Sequence, residues 1–256
     1  MLLALDAGNS NITIGAFEGS KLEAHWRLRT VHEQTADEWG VLLRNLFSLA
    51  GLDLARVHGM IVSSVVPQLD ASLAAMAHRY FRTDPFFVTA QTDTGMVIRY
   101  DNPSEVGADR IVNSVAAVQH YGAPCIVVDL GTAITFDAVS ANAEYLGGII
   151  CPGIGISTGA LFSKTARLPF VGLREPKKLI GTNTIESIQS GLFYGFASLI
   201  DGIIERLVAE LGPETHCVAT GGQAHMIATA CRHLKIVNDD LTLKGLQMIW
   251  ERNHPQ

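Results

Sequence analysis

The chain has 256 residues, 48% of them hydrophobic and 17% charged, with a formal net charge of −6. That length fits one large domain or two of ordinary size, and a charged fraction below the roughly 25% of an average globular protein leaves ample apolar residue for a core. An acidic chain with no Lys/Arg cluster excludes nucleic acid and anionic membranes as general partners, and the shortage of charge hints at a surface covered in an oligomer.

The elements follow in chain order. Leu2-Leu-Ala-Leu-Asp-Ala-Gly-Asn-Ser-Asn-Ile-Thr-Ile-Gly-Ala-Phe17 reads as strand, glycine turn, strand. Glu18-Gly-Ser20 turns into a third strand over residues 22–28. Thr35-Ala-Asp-Glu38 is a capping-box pattern, and Trp39, Leu42, Leu43, Leu46 and Leu49 follow at helical spacing up to a stop at Gly51. A buried strand is expected within residues 57–66, ended by Pro67, then a helix over 69–81 and a short strand over 86–89. Strand, strand, strand, helix, strand, helix, strand is an α/β layer order. After Pro103, Ser104 is the expected cap of a helix through Ile111, Val112, Val115 and Val118 to Tyr121, with Asp109 and Arg110 in its first turns. An acid at that place also serves as a simple partner of the helix dipole.

The second half opens with Ile126-Val-Val-Asp-Leu-Gly-Thr-Ala-Ile-Thr-Phe-Asp-Ala-Val139, again an apolar run, an acid, a glycine turn and a second apolar run. Residues 144–151 continue the sheet, and Pro152-Gly-Ile-Gly-Ile-Ser-Thr-Gly159 opens a helix through Leu161 and Phe162. These glycines do not spell the dinucleotide fingerprint, and no P-loop occurs. Asn183-Thr-Ile-Glu186 starts a long helix whose expected core stripe is Ile185, Ile188, Leu192, Phe196, Leu199, Ile203 and Leu207. Gly191, Gly195 and Gly202 in it suggest close approach by another backbone, from a neighbouring helix or a dimer partner. His216-Cys-Val-Ala-Thr220 is a strand running into Gly221-Gly222 and a helix from Gln223, and a last helix covers residues 241–252. No apolar run reaches the length of a membrane span. The N-terminus lacks a basic flank, and Asp6 interrupts its apolar run, so no signal peptide is expected. Cys125, Cys151, Cys217 and Cys231 form no C-x-x-C pair and read as buried reduced thiols. The expected setting is the cytoplasm.

Asp6-Ala-Gly8 and Asp129-Leu-Gly131 lie 123 residues apart and repeat one design, which predicts a duplicated fold with lobes over residues 1–122 and 123–256. Thr220-Gly-Gly222 is a third strand-to-glycine junction. Glycine turns offer N–H groups to phosphate oxygens, and carboxylates suit the hard cations that accompany phosphates. Any one junction is equally well ordinary Asp-Gly turn chemistry. Two in register plus a third point to a metal–nucleotide phosphate site in an interlobe cleft.

With Ser64-Val-Val-Pro67, Gly107-Ala-Asp-Arg110, Gly147-Gly-Ile-Ile-Cys-Pro-Gly153 and Asn183-Thr184 added, the whole chain resembles the type III pantothenate kinases of the acetate and sugar kinase, heat-shock chaperone and actin superfamily. Ser10 stands where that family usually has Thr, and it keeps the hydroxyl. The resemblance implies a duplicated ribonuclease H-like (actin-like) α/β fold of two mixed-sheet lobes with helices on both faces. It also implies ATP-dependent phosphorylation of pantothenate to 4′-phosphopantothenate, the first step toward coenzyme A, by a homodimer. Asp6, Ala7, Gly8, Asn9, Ser10, Asn11, Ile12 and Thr13 would hold the ATP phosphates, with Asp6 near magnesium through water. Thr132 would contact ATP, Gly221 and Gly222 would border the adenosine, and Asp129 would bind the monovalent cation, K+ or NH4+. Tyr100, Gly107, Ala108, Asp109, Arg110 and Thr184 would hold pantothenate, with Asp109 the general base toward its hydroxyl. Arg110 would pair with the substrate carboxylate or else keep Asp109 ionised. A regulatory factor on the same fold and a kinase for another small alcohol or sugar are the alternatives.

Overall fold

The computed structural model describes residues 1–165 and 168–255. The chain forms two compact units, one of Met1–Met96, Asp101–Ala116 and Leu241–Gln256, the other of Val97–Tyr100 and Ala117–Asp240.

In the first unit β1 (Leu2–Ala7), β2 (Asn11–Glu18) and β3 (Lys21–Arg29) form an antiparallel meander. Helix α1 (Ala36–Leu49) leads to β4 (Gly59–Ser64), and α2 (Pro67–Met76) leads to β5 (Pro85–Phe87). The sheet order is β3-β2-β1-β4-β5, with β1, β4 and β5 mutually parallel. Strand β1 is therefore central and covered on both faces, which is why its sequence is an unbroken apolar run rather than an alternation. Edge strand β3 alternates exposed and half-buried residues. One face packs Leu3, Leu5, Ile12 and Ile14 against Trp39, Leu43 and Phe47 of α1 and Leu69 and Leu73 of α2. The α1 capping box forms as expected, with Glu38 N–H donating to Thr35 Oγ1 and Thr35 N–H to the Glu38 carboxylate.

Helix α3 (Ala108–Tyr121) follows, and its first turns belong to this unit. The second unit repeats the plan with β6 (Cys125–Leu130), β7 (Ala133–Val139), β8 (Tyr145–Pro152), α4 (Ile154–Ser163), α5 (Thr184–Leu211), β9 (His216–Thr220), α6 (Ala224–Ala228) and β10 (Ile236–Val237). Its order, β8-β7-β6-β9-β10, matches the first sheet strand for strand, with β6 in the place of β1. Ile126, Val128, Ile134 and Phe136 of the sheet pack on Leu192, Phe193, Ala197, Ile200 and Ile204 of α5.

The final helix, α7 (Leu241–Asn253), belongs to the first unit. Its Leu243, Leu246 and Ile249 share a cluster with Leu2, Ala4, Phe17 and Ile61 on the second face of that sheet, together with Val112 of α3. Residues 241–256 thus fall outside the expected lobe over 123–256. Residues 97–100 fall outside the lobe over 1–122, because they pair with β8 through Arg99 N–H to Tyr145 O (2.8 Å) and Tyr145 N–H to Val97 O (2.9 Å).

Other local expectations are corrected. The helix expected over 69–81 leaves α geometry at Met76 and ends as a π-helical turn over Ala77–Phe81. Ser104 does not cap α3. Asn102 caps a 3-10 turn, Pro103–Glu105, and α3 begins separately at Ala108. Asn183 caps α5 by accepting from Glu186 N–H, but the Glu186 carboxylate binds Thr182 instead of closing a capping box. The α5 stripe is rotated by about one residue. Phe193, Ala197, Ile200, Asp201 and Ile204 face the core, and Ile185 is exposed. Asp201 belongs on that face because it accepts the backbone N–H groups of Arg232 and His233. Around Gly191, Gly195 and Gly202 no atom of the described residues, the helix's own nearby backbone aside, lies within 4 Å of where a Cβ would sit, so no neighbouring helix among the described residues explains them.

Candidate active site

Asp6 ends β1, with Thr13 of β2 opposite it on one side and Ser63 of β4 on the other. The turn after it is closed by Gly8 N–H donating to Asn11 O (3.0 Å). Thr30 fastens this turn, donating through Oγ1 to Gly8 O (2.6 Å) and through its N–H to Ser10 O (3.1 Å). Asn9 and Ser10 stay exposed. Ala7 and Ile12 are fully buried, so they can serve a ligand through backbone groups alone. Ser63 Oγ is buried and has no hydrogen-bond partner among the described residues. Such a hydroxyl beside a carboxylate fits the water shell of a magnesium ion, which keeps waters and takes one or two carboxylates plus phosphates. Among the described residues no group of three or more His, Cys, Asp or Glu could enclose a metal. Neither Thr30 nor Ser63 is singled out by the sequence; only their register beside the turn marks them.

The same unit carries Asp109 at the second position of α3. Arg110 N–H donates to its Oδ1 (2.8 Å). A Cβ on Gly107 would stand 2.6 Å from that oxygen, so glycine is what leaves room for the carboxylate. Burial pushes the Asp109 carboxyl above its ordinary value, outweighing the Arg110 N–H and the Arg110 charge, which pull it down. Arg110 is itself buried. Gly107 and Ala108 line a cavity of about 390 Å³, with Val65, Thr89, Gln91 and Glu105 also in its wall. The Thr89–Gln91 part of that wall was not legible in the sequence. It belongs to a loop tied to α7 where Asp93 accepts from Arg252 Nε (2.8 Å) and, through its carbonyl, from Asn253 Nδ2 (2.8 Å).

In the second unit Asp129 ends β6, opposite Thr135 of β7 and Thr220 of β9. Gly221 follows at φ +95°, and a Cβ on it would lie 2.5 Å from Asp129 Oδ1. The structure therefore brings Asp129 and the Gly221-Gly222 junction together. Thr132 sits on the same hairpin, its carbonyl packed against Gly153 at the start of α4. Next to Gly222, Gln223 Oε1 is buried without a hydrogen-bond partner among the described residues, a second orphan at a junction expected to hold a ligand. Tyr100 lies over Gly147, whose Cβ would be 3.2 Å from its ring. Thr184 is exposed at the start of α5 and lines a different cavity of about 450 Å³ with Pro169, Asn183 and Ile185.

A five-stranded mixed sheet built twice in one strand order, with an acid at the end of each central strand, defines the class: a duplicated ribonuclease H-like fold, that of the actin-like phosphotransferases. Solved structures agree on the fold. A crystal structure described as a 2-dehydro-3-deoxygalactonokinase from Sinorhizobium meliloti is similar with TM-score 0.58 at 13% identity, covering 100% of each chain. One described as a Baf family transcriptional activator from Campylobacter jejuni has TM-score 0.57 at 20% identity over 98% of each chain. The model of the type III pantothenate kinase family matches residues 2–206. The type III pantothenate kinase of Solibacter usitatus (strain Ellin6076) is 68% identical over 256 residues, covering 100% of this chain and 98% of its own. The chain belongs to the type III pantothenate kinase family and is a phosphotransferase.

Proposed function

We propose that the protein transfers the γ-phosphoryl group of ATP to the primary hydroxyl of pantothenate, giving 4′-phosphopantothenate and ADP on the way to coenzyme A. The observation that carries this reading is Asp109, a carboxyl with a raised pKa at the start of α3, fixed by the Arg110 N–H and next to a cavity lined by Gly107 and Ala108. Its carboxylate takes the proton as the hydroxyl oxygen bonds to the γ-phosphorus and the bond to the β,γ-bridging oxygen breaks, so that ADP leaves. Arg110 offers a guanidinium fork to the substrate carboxylate, and Tyr100 and Thr184 complete the hold on pantothenate.

Asp6 to Thr13 hold the phosphates through the turn amides, the exposed Asn9 and Ser10, and the hydroxyl of Thr13. Magnesium, when bound, neutralises phosphate charge, and Asp6 with Ser63 would hold it through water. Thr132, Gly221 and Gly222 take the rest of the nucleotide, and Asp129 takes K+ or NH4+. A second copy of the chain is the proposed partner. Supporting it are the exposed apolar residues Leu146, Ile150, Ile156, Leu179, Ile180 and Ile185 and the open space at Gly191, Gly195 and Gly202. Among the described residues no helix is long and apolar enough to cross a membrane. A cytoplasmic setting goes with four cysteines that are all free.

The test is pantothenate-dependent ADP release by the purified protein with magnesium, measured with and without potassium. Turnover that requires pantothenate and rises with potassium is expected. No turnover with both cations present would refute the substrate, and equal rates with sodium alone would refute the cation role.

A further inference from the structure

Asp137 is a fully buried carboxyl near the middle of β7 that the reaction above does not use. A carboxyl is costly in an interior unless hydrogen bonds satisfy it, and an apolar pair of equal volume often stabilises as well or better. Its Oδ1 accepts from the Tyr145 hydroxyl at 2.8 Å, and Thr135 Oγ1 donates to Oδ2 at 3.4 Å. Tyr145 is fully buried too. It opens β8 and receives the segment that ends in Tyr100, through Tyr145 N–H to Val97 O and Arg99 N–H to Tyr145 O. The Arg99 guanidinium adds two bonds to the Glu144 carboxylate next door, at 3.0 and 2.6 Å. The rings of Tyr100 and Tyr145 meet with centroids 6.5 Å apart at 48°. Beneath Tyr100, Gly147 at φ +115° presents bare backbone, where a Cβ would stand 3.2 Å from the ring and push it aside slightly.

Tyr145 is thus held from two sides. Its backbone grips residues 97–99, and its hydroxyl is fixed from inside the sheet by Asp137. A phenylalanine would fill the same volume but lose the hydroxyl–carboxylate bond, which helps set the ring against which Tyr100 rests. We propose that Asp137 is a positioning residue for pantothenate, acting through the Tyr145 hydroxyl on the orientation of Tyr100. This rests on the reading that Tyr100 holds pantothenate.

The experiment is steady-state kinetics on Tyr145→Phe, Asp137→Asn and Asp137→Leu in the full chain, each also combined with Tyr100→Ala. Tyr145→Phe raises the pantothenate KM about tenfold through a misplaced Tyr100, while kcat and the ATP KM stay within about twofold. Asp137→Asn keeps an acceptor for the hydroxyl and retains most of the affinity, whereas Asp137→Leu matches Tyr145→Phe. In the Tyr100→Ala background the Tyr145→Phe change adds nothing to KM, because its target is gone. An equal fold-rise in both backgrounds, or a fall in kcat with KM unchanged, overturns the proposal and leaves the pair a core feature. If Tyr100→Ala alone leaves the pantothenate KM unchanged, the role of Tyr100 itself is refuted and the proposal goes with it. If Tyr145→Phe does not fold, the contrast between Asp137→Asn and Asp137→Leu decides, equal KM values for the two refuting the assignment.

Discussion

Asp109→Asn separates catalysis from folding because the two respond in opposite directions. The asparagine Oδ1 still accepts the Arg110 N–H that the carboxylate accepts at 2.8 Å, so the start of α3 is retained. What is lost is the acceptor for the hydroxyl proton. General-base assistance contributes roughly 10²- to 10⁴-fold, so kcat falls by that factor, about 3–5 kcal/mol of barrier at 1.36 kcal/mol per tenfold. Pantothenate and ATP KM change little. Stability moves the other way. The folded-state pKa of Asp109 is raised by burial, so between the unfolded and folded values the native state binds more protons than the unfolded state. Stability is then highest below the unfolded pKa and falls as pH rises through the folded one. At neutral pH the ionised carboxylate therefore costs the fold free energy, and Asp109→Asn raises Tm there while leaving it unchanged at pH 3. The same raised pKa sets the acid limb of kcat/KM in the wild type above that of an ordinary aspartate, and the limb disappears in the variant. Coupled-assay kinetics from pH 4.5 to 8.5 and thermal melts from pH 3 to 8.5 measure all three. Turnover within threefold of wild type, or a lower Tm at pH 7, would refute the reasoning.

Three further outcomes follow from single contacts. Gly107→Ala puts a methyl 2.6 Å from Asp109 Oδ1 and should lower kcat at least tenfold in a protein that still folds; an unchanged kcat would mean the carboxylate need not stand where it is seen. Gly221→Ala meets both φ +95° and the Asp129 carboxylate. A backbone penalty of about 1–2 kcal/mol should appear as a lower Tm, and the displaced junction as a higher ATP KM with the pantothenate KM unchanged. Burial pushes the thiols of Cys125 and Cys231 up to about 12 and that of Cys217 to about 11. Native protein at pH 8 should therefore release less than one equivalent of thionitrobenzoate quickly from Ellman's reagent and four after denaturation; rapid native reaction of two or more thiols would contradict the burial.

The hairpins and the acids near the strand ends were legible because short-range chemistry fixes them. The run Leu2 to Leu5 and the run Ile126 to Val128 can be buried only as central strands, and the glycines after Asp6 and Asp129 turn the chain within a few residues. The α1 capping box was equally local. The misses share a cause, which is dependence on a partner far along the chain. Asp201 stands on the buried face of α5 because it accepts from the backbone of residues 232–233, so the most buried line runs beside the expected stripe, which keeps Leu192 buried and the residues after it half-buried. Helix α7 joins the first unit because the second face of that sheet lacks cover until Leu243, Leu246 and Ile249 arrive. Ser104 does not cap α3 because it lies inside a separate 3-10 turn that Asn102 caps, and α3 begins only after Gly107. The Thr89–Gln91 wall is invisible for the same reason: Arg252 and Asn253, which hold its loop, lie more than 150 residues away.

The two acid–glycine turns are one design used twice with local differences. Their frames coincide, an acid at the end of the central strand with a hydroxyl residue on the adjacent parallel strand, Asp6 beside Ser63 and Asp129 beside Thr220. The surroundings differ. The first turn closes between Gly8 and Asn11 and leaves Asn9 and Ser10 exposed, so a hydrated ion and a phosphate chain have access. The second closes one residue sooner, between Gly131 and Ala133, and Gly221 stands against the Asp129 carboxylate. The magnesium proposed at Asp6 would keep most of its waters, which the longer turn leaves room for. The monovalent cation proposed at Asp129 would sit by this shorter turn, beside the Gly221 backbone, where backbone oxygens replace part of such an ion's water shell. The difference arises from one deleted turn residue and one glycine on the neighbouring strand, changes small enough to follow a duplication without disturbing either sheet.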